Sequence, residues 1–230
     1  MHLITIGLWL LIWLATPSYA GFDEGYAAFK QENYAHAHRA WKAAAAEGSV
    51  AAKFGLGILY ANGLAVAKNP QQALFWFNQA AEQGNAPAQF QLGSEYYTGR
   101  LVSKDLNQAA YWITQAAKQG YAKAEFGLGC LYYEGAGVTK DYQQALSWFR
   151  EAGKKRIPGA IINIGGMYAK GIGVPRNLIF AYAYFSLAAR IGGTEALNYK
   201  TEIQRQLGSA DLVDAQILAE SWMSEWFGVQ

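Results

Sequence analysis

The chain has 230 residues, 52% of them hydrophobic and 15% aromatic, with 19 Lys and Arg against 17 Asp and Glu for a formal net charge of +2. So much apolar material is incompatible with an unstructured chain. With charges nearly balanced and no run of one sign to follow a phosphate backbone, nucleic acid is excluded as the expected partner.

The first twenty residues, "MHLITIGLWLLIWLATPSYA", differ from the rest. An uncharged apolar run from Leu3 to Ala15 is followed by Pro17 and by small residues at Ser18 and Ala20. That pattern reads as a signal peptide over residues 1–20 with cleavage after Ala20. The run is shorter than the ~20 residues a membrane span needs. No later segment reads as a span, so the expected product is exported, periplasmic or secreted. Cys130 is the only cysteine. It allows no disulfide within the molecule, so stability has to come from packing, and its apolar helical setting marks it as a small buried or groove-lining residue.

From residue 49 a pattern returns every 36 residues. Leu56-Gly57 recurs as Leu92-Gly93, Leu128-Gly129 and Ile164-Gly165. In the same phase Ala52 recurs as Ala88, Ala124 and Ala160, and Tyr60 as Tyr96, Tyr132 and Tyr168. Gly63 returns as Gly99, Gly135 and Gly171, and Val66 as Val102, Val138 and Val174. Ala73, Ala109, Ala145 and Ala181 precede Trp76, Trp112, Trp148 and Tyr184. Four repeats follow, at 49–84, 85–120, 121–156 and 157–192.

Within each repeat, small and apolar residues spaced three and four apart predict a first helix ended by a left-handed glycine, a loop with one inward valine, and a second helix. Asn69, Asp105, Asp141 and Asn177 are placed to cap that second helix. Helices this short are unstable alone, so neighbouring repeats must cover their apolar faces. Gly57 is expected to let the two helices approach at Ala80 and Ala81. Gly55, whose counterparts are Gln91, Gly127 and Asn163, shows no common packing role and is expected to face away from the core.

The pattern resembles the Sel-one-like repeat (SLR) family, relatives of the tetratricopeptide repeat (TPR), most closely in "AKAEFGLGCLYYEGAGVTKDYQQALSWFREAGKKR", Ala122 to Arg156. The resemblance implies an all-α fold, an α/α superhelical solenoid of TPR-like helix-turn-helix repeats. Ala65 and Leu101 depart from it where Gly137 and Gly173 stand, which bears on loop shape. Residues 21–48 resemble a TPR hairpin with a shortened loop and are expected to cap the N-terminus, while 193–230 supply closing helices with Leu212, Ala215, Leu218, Ala219 and Trp222 on one side.

Catalytic and cofactor signatures do not occur: there is no H-E-x-x-H, G-x-S-x-G, Walker loop, S-x-x-K or C-x-x-C. Gly55-Leu56-Gly57 lies within a helix and lacks the third glycine of a dinucleotide site. His36 and His38, two apart, point about 200° from one another on a helix and cannot chelate one ion. No cofactor, metal or catalytic residue is therefore expected. The resemblance instead implies a concave groove lined by the first helices, whose rows here are Ile58, Ser94, Cys130 and Gly166; Ala61, Tyr97, Tyr133 and Ala169; and Asn62, Thr98, Glu134 and Lys170. Phe54, Phe90, Phe126 and Ile162 flank that side, the phenylalanines either as groove or as packing between repeats.

The expected function is an exported interaction module holding a protein or peptide partner in the groove, as a scaffold, an envelope regulator or an immunity-type inhibitor. The opposing reading is a cell-wall or β-lactam-type hydrolase using the same groove, with Glu134 as an acid. That reading lacks a second acid in the repeat rows and the cysteines of the family members described as acting on β-lactams.

Overall fold

The computed structural model describes residues 19–228, which form α-helices joined by short turns, with no strand among the described residues. The expected signal peptide lies outside the described residues, except that Tyr19 and Ala20 begin the first helix. The chain divides into two compact units with the boundary between Gln79 and Ala80. The first unit contains α1 (Tyr19–Lys30), α2 (Tyr34–Ala46), α3 (Val50–Asn62) and the start of α4 (Pro70–Glu82). In the second, α5 (Ala86–Thr98), α6 (Leu106–Lys118), α7 (Ala122–Glu134), α8 (Tyr142–Lys154), α9 (Pro158–Lys170) and α10 (Leu178–Arg190) form three hairpins. Each hairpin packs against the next, giving an all-α solenoid, and α11 (Ala196–Gln204) and α12 (Ser209–Phe227) close on α10.

The punctuation follows the residues. Gly63, Gly99, Gly135 and Gly171 end the first helices at φ near +70°, a conformation that costs a side-chain-bearing residue about 1–2 kcal/mol. The carboxylates of Asp105 and Asp141 each accept from two backbone N–H groups, and Asn69 and Asn177 from one, at the starts of α4, α6, α8 and α10. The loop substitutions have different results. Ala65 takes the left-handed conformation of Gly137 and Gly173, at φ +59°, whereas Leu101 is not among the residues with positive φ.

The close approach of paired helices has a different basis from the expected one. A β-carbon on Gly129 would lie 2.5 Å from the Phe149 ring, and one on Gly165 would lie 2.8 Å from Phe185. At Gly93 the obstacle is Ile113, at 2.7 Å, and at Gly57 it is the ring of Phe77. In every repeat the glycine therefore seats a large side chain twenty residues later, and Phe77 and Phe149 are completely buried there. The alanines further along the second helix are not what meets the glycine. In the third repeat that pair is Ala152-Gly153, and Gly153 faces Ile161 of the next helix and Trp226 of α12.

Gly55 likewise departs from expectation, since it is buried and not outward-facing. A β-carbon on it would come within 2.6 Å of Trp41. Trp41 holds the ring position of the N-terminal hairpin, yet the glycine it covers, Gly25, stands only sixteen residues ahead, the loop being shortened by a turn. The larger indole fills the seat at Gly25 and presses on the next first helix, where only glycine leaves room. Its Nε1 donates to the carbonyl of Phe22 at 3.1 Å.

Among the described residues two charged side chains are buried. Glu95, with a side chain 2% exposed, accepts from Arg100 at 2.5 Å and from Gln91 at 2.7 Å. The corresponding pairs are Leu59 and Leu64, Leu131 and Ala136, and Met167 and Ile172, so one repeat replaces apolar packing with an ion pair. Glu125 meets Lys155 at 2.5 Å while its Oε2 has no partner. One repeat earlier the same two positions carry Gln89 and Gln119, joined at 2.7 Å.

Three outcomes are expected. Gly129→Ala, although alanine is the better helix former, lowers stability by ~1–3 kcal/mol in urea unfolding because Phe149 cannot yield; a stabilised variant would contradict the seat. Arg100→Ala destabilises by about 1–3 kcal/mol, discounted because Arg100 is half exposed, whereas Glu95→Leu with Arg100→Ala restores or exceeds parental stability. His38, half-buried edge-on to Tyr60, has its pKa held below the ordinary 6.5 by burial and then by Lys42. Its neutral form favours folding, so the folded state keeps its full stability above pH 6.5 and loses it as pH falls below. The urea midpoint should drop between pH 7.5 and 5.5, by less in His38→Gln.

Candidate recognition site

The first helix of each repeat carries the sequence-derived rows, within each unit separately. In the first unit Phe54 packs on Phe77 at a centroid distance of 5.9 Å, Ile58 is half-buried, and exposed Asn62 folds its amide back to donate to the Ile58 carbonyl. In the second unit Phe90 lies edge-on to Tyr121 and over Gly127, and Phe126 packs between Phe149 and Gly159. The phenylalanines of that unit therefore fill the space between successive repeats. Ser94 and exposed Thr98 donate to helical carbonyls within α5.

Further along the same face, neighbouring repeats touch. The Tyr97 hydroxyl donates to Glu134 Oε2 at 2.8 Å, with Lys104 Nζ 5.6 Å from the Tyr97 ring centre. That hydrogen bond, then burial, raises the Tyr97 pKa above its ordinary value. Tyr133 stands edge-on to Tyr142 at 5.3 Å. Burial first and the Glu134 charge second push the Cys130 thiol up to about 11, and Asn163 Nδ2 lies 4.0 Å from its sulfur.

At the end of this face the groove row of the fourth repeat borders a half-open cavity of about 530 Å³. Tyr133, Ile162, Gly166 and Lys170 line it from the repeat side. Tyr199, Glu202, Ile203 and Gln206, in and just beyond α11, line it from the other. The latter set is absent from the sequence-derived rows, because after Gly193 the 36-residue register no longer maps residues onto the groove. α11 is held by buried Ala196 and Ile203, by Tyr199 stacked on Phe185 at 5.3 Å, and by Gln206 accepting from Arg176 at 3.3 Å. Among the described residues no group of three or more His, Cys, Asp and Glu is gathered to hold a metal, and no helix is long and apolar enough to cross a membrane.

A model of the Sel1 repeat matches residues 50–85, 86–121, 122–156 and 158–193. The chain is similar to the crystal structure of a Sel1 repeat protein from Oxalobacter formigenes, with 32% identity over 82% of this chain and 86% of that one and a TM-score of 0.70. A protective antigen present in uropathogenic Escherichia coli strains, displaying an SLR fold, is 26% identical over 90% of this chain and 53% of its own, with a TM-score of 0.57. An immunity protein from Pseudomonas aeruginosa shares the fold at 19% identity, over 89% of this chain and 81% of its own, with a TM-score of 0.52. No curated protein sequence matches significantly. With four consecutive repeats matched and the glycine-seated hairpins in place, the chain belongs to the Sel1 repeat family.

Proposed function

We propose that the chain is an exported, non-catalytic interaction module that binds a protein or peptide partner on the exposed face of its first helices. The observation that carries this reading is the contrast between rows within one molecule. Ala88, Ala124 and Ala160 are identical and wholly buried, whereas Thr98, Glu134 and Lys170, at one equivalent position, are all exposed and all different. Packing constrains the first row and leaves the second free to read a ligand. Tyr97 and Tyr133, half-buried beside polar neighbours, have the amphipathic character of interface anchors. In the first unit Phe54, Ile58 and Asn62 occupy the same rows.

Export rests on the apolar run, Pro17 and the small residues of positions 1–20. Within this class the module serves as an envelope scaffold, a regulator of a membrane sensor's outer domain or an immunity-type inhibitor. The fold it shares with a solved immunity protein is compatible with the last. Burial pushes the Cys130 thiol up to about 11, so it is almost wholly protonated near neutrality, which speaks against a nucleophilic role for this residue.

Replacing Tyr97 and Tyr133 together by Ala, with helicity first confirmed by circular dichroism, should abolish retention of envelope proteins in affinity capture. Recovery of the same proteins by variant and parent would sink the assignment. Cys130 should react with iodoacetamide at pH 8 about a hundredfold more slowly than an ordinary thiol, given the thiolate fractions; a rate equal to or above that of free cysteine would show an activated thiol and overturn its reading as a passive groove residue.

A further inference from the structure

We infer that the cavity bounded by α9 and α11 is a binding site for a free, zwitterionic short peptide with apolar side chains, two or three residues long. The inference rests on the reading of this face as a recognition surface and specifies what its last repeat takes.

Gly166 is the first observation. The same row carries Ser94 on α5 and Cys130 on α7, and a β-carbon added to Gly166 would meet nothing within 4 Å. Its neighbour Gly165 seats Phe185, but Gly166 seats nothing and has no positive φ to satisfy. Glycine within a helix loses about 0.5–1 kcal/mol relative to alanine, so here it contributes neither conformation nor packing. What it supplies is space. The resulting volume of about 530 Å³ falls in the range of small-molecule sites.

Charge is the second. Lys170 enters from α9 and Glu202 from α11; both are exposed, both line the cavity, and neither side chain has an ion-pair or hydrogen-bond partner among the described residues. Between them Tyr133, Phe185, Tyr199 and Ile203 supply aromatic and aliphatic wall, and Asn163 and Gln206 add neutral polar groups. A complementary occupant has an apolar body with an anionic group toward Lys170 and a cationic one toward Glu202. A free short peptide meets this with its carboxylate and its amine at opposite ends and its side chains between. An internal segment with the same apolar side chains has neutral amides at those ends and leaves both protein charges unmatched. A single amino acid fills too little of the volume.

The experiment is isothermal titration of the full chain with unblocked Leu-Phe and, separately, with N-acetyl-Leu-Phe-amide. Leu-Phe is expected to bind saturably at millimolar concentration or below, and the blocked peptide at least tenfold more weakly. Lys170→Gln and Glu202→Gln should each weaken Leu-Phe about tenfold, the effect of one charged hydrogen bond. Gly166→Leu, a better helix former with room for its side chain, should melt no lower than the parent and lose Leu-Phe binding. Equal binding of the blocked peptide overturns the inference in favour of an internal protein segment. Undiminished binding in both charge variants, or in a stably folded Gly166→Leu, also overturns it. Absence of Leu-Phe binding in a parent that still captures envelope proteins through Tyr97 and Tyr133 overturns this inference and leaves the proposed function standing.

Discussion

A missing side chain opposite a large one is the constraint on which the hairpins depend. Thirteen-residue helices have too few hydrogen bonds to persist in water, so their survival depends on burying a face against a partner at short range. The glycine on the first helix and the large side chain on the second, a phenylalanine in three repeats and Ile113 in the other, produce that range: the side chain lies on bare backbone where any β-carbon would intrude. The local helix penalty of glycine is thereby exchanged for a fully buried phenylalanine, worth about 1.5–3 kcal/mol of apolar burial.

The N-terminal hairpin shows how far that arrangement can be deformed. Its loop is a turn shorter, the seat moves from twenty residues to sixteen, and an indole replaces the phenyl ring. Geometry is then repaired on both sides, by Gly25 beneath and Gly55 beyond, and the indole N–H that would otherwise be stranded reaches a carbonyl at Phe22. The buried polar groups are handled less completely. Gln89 and Glu95 are satisfied, but Glu125 keeps one oxygen without a partner, an arrangement that adds no stability over the apolar pair Ile161 and Ile191 found one repeat later.

Repeat length, helix limits, glycine C-caps and Asn or Asp N-caps were legible because each depends on residues a few positions apart within one copy. The partner of Gly57 was not, since a period of 36 shows which positions recur together but not which face each other across a hairpin. Gly55 was misread for a related reason: its constraint comes from Trp41, the one ring residue in a copy with a different loop length. Glu95 drew no notice because a charge amid Leu59, Leu131 and Met167 looks like surface variation until its burial is known. The groove rows could be traced through Lys170, but the wall formed by Tyr199 and Glu202 lies beyond the last copy, where no periodicity relates it to the rest.

The matched polar pairs also bear on how such an array can be copied. Gln89 with Gln119, Glu95 with Arg100 and Glu125 with Lys155 each lie inside a single 36-residue block that opens just before a first helix. Duplication or loss of whole blocks with those edges carries both members together. Recombination at the loop between the two helices would separate Glu125 from Lys155, joining it to a second helix capped by Gln119 and leaving a buried carboxylate without its ammonium, a change costing about 1–3 kcal/mol because Lys155 is itself part exposed. The charge pairs thus define the boundaries at which this chain can gain or lose a repeat and still fold.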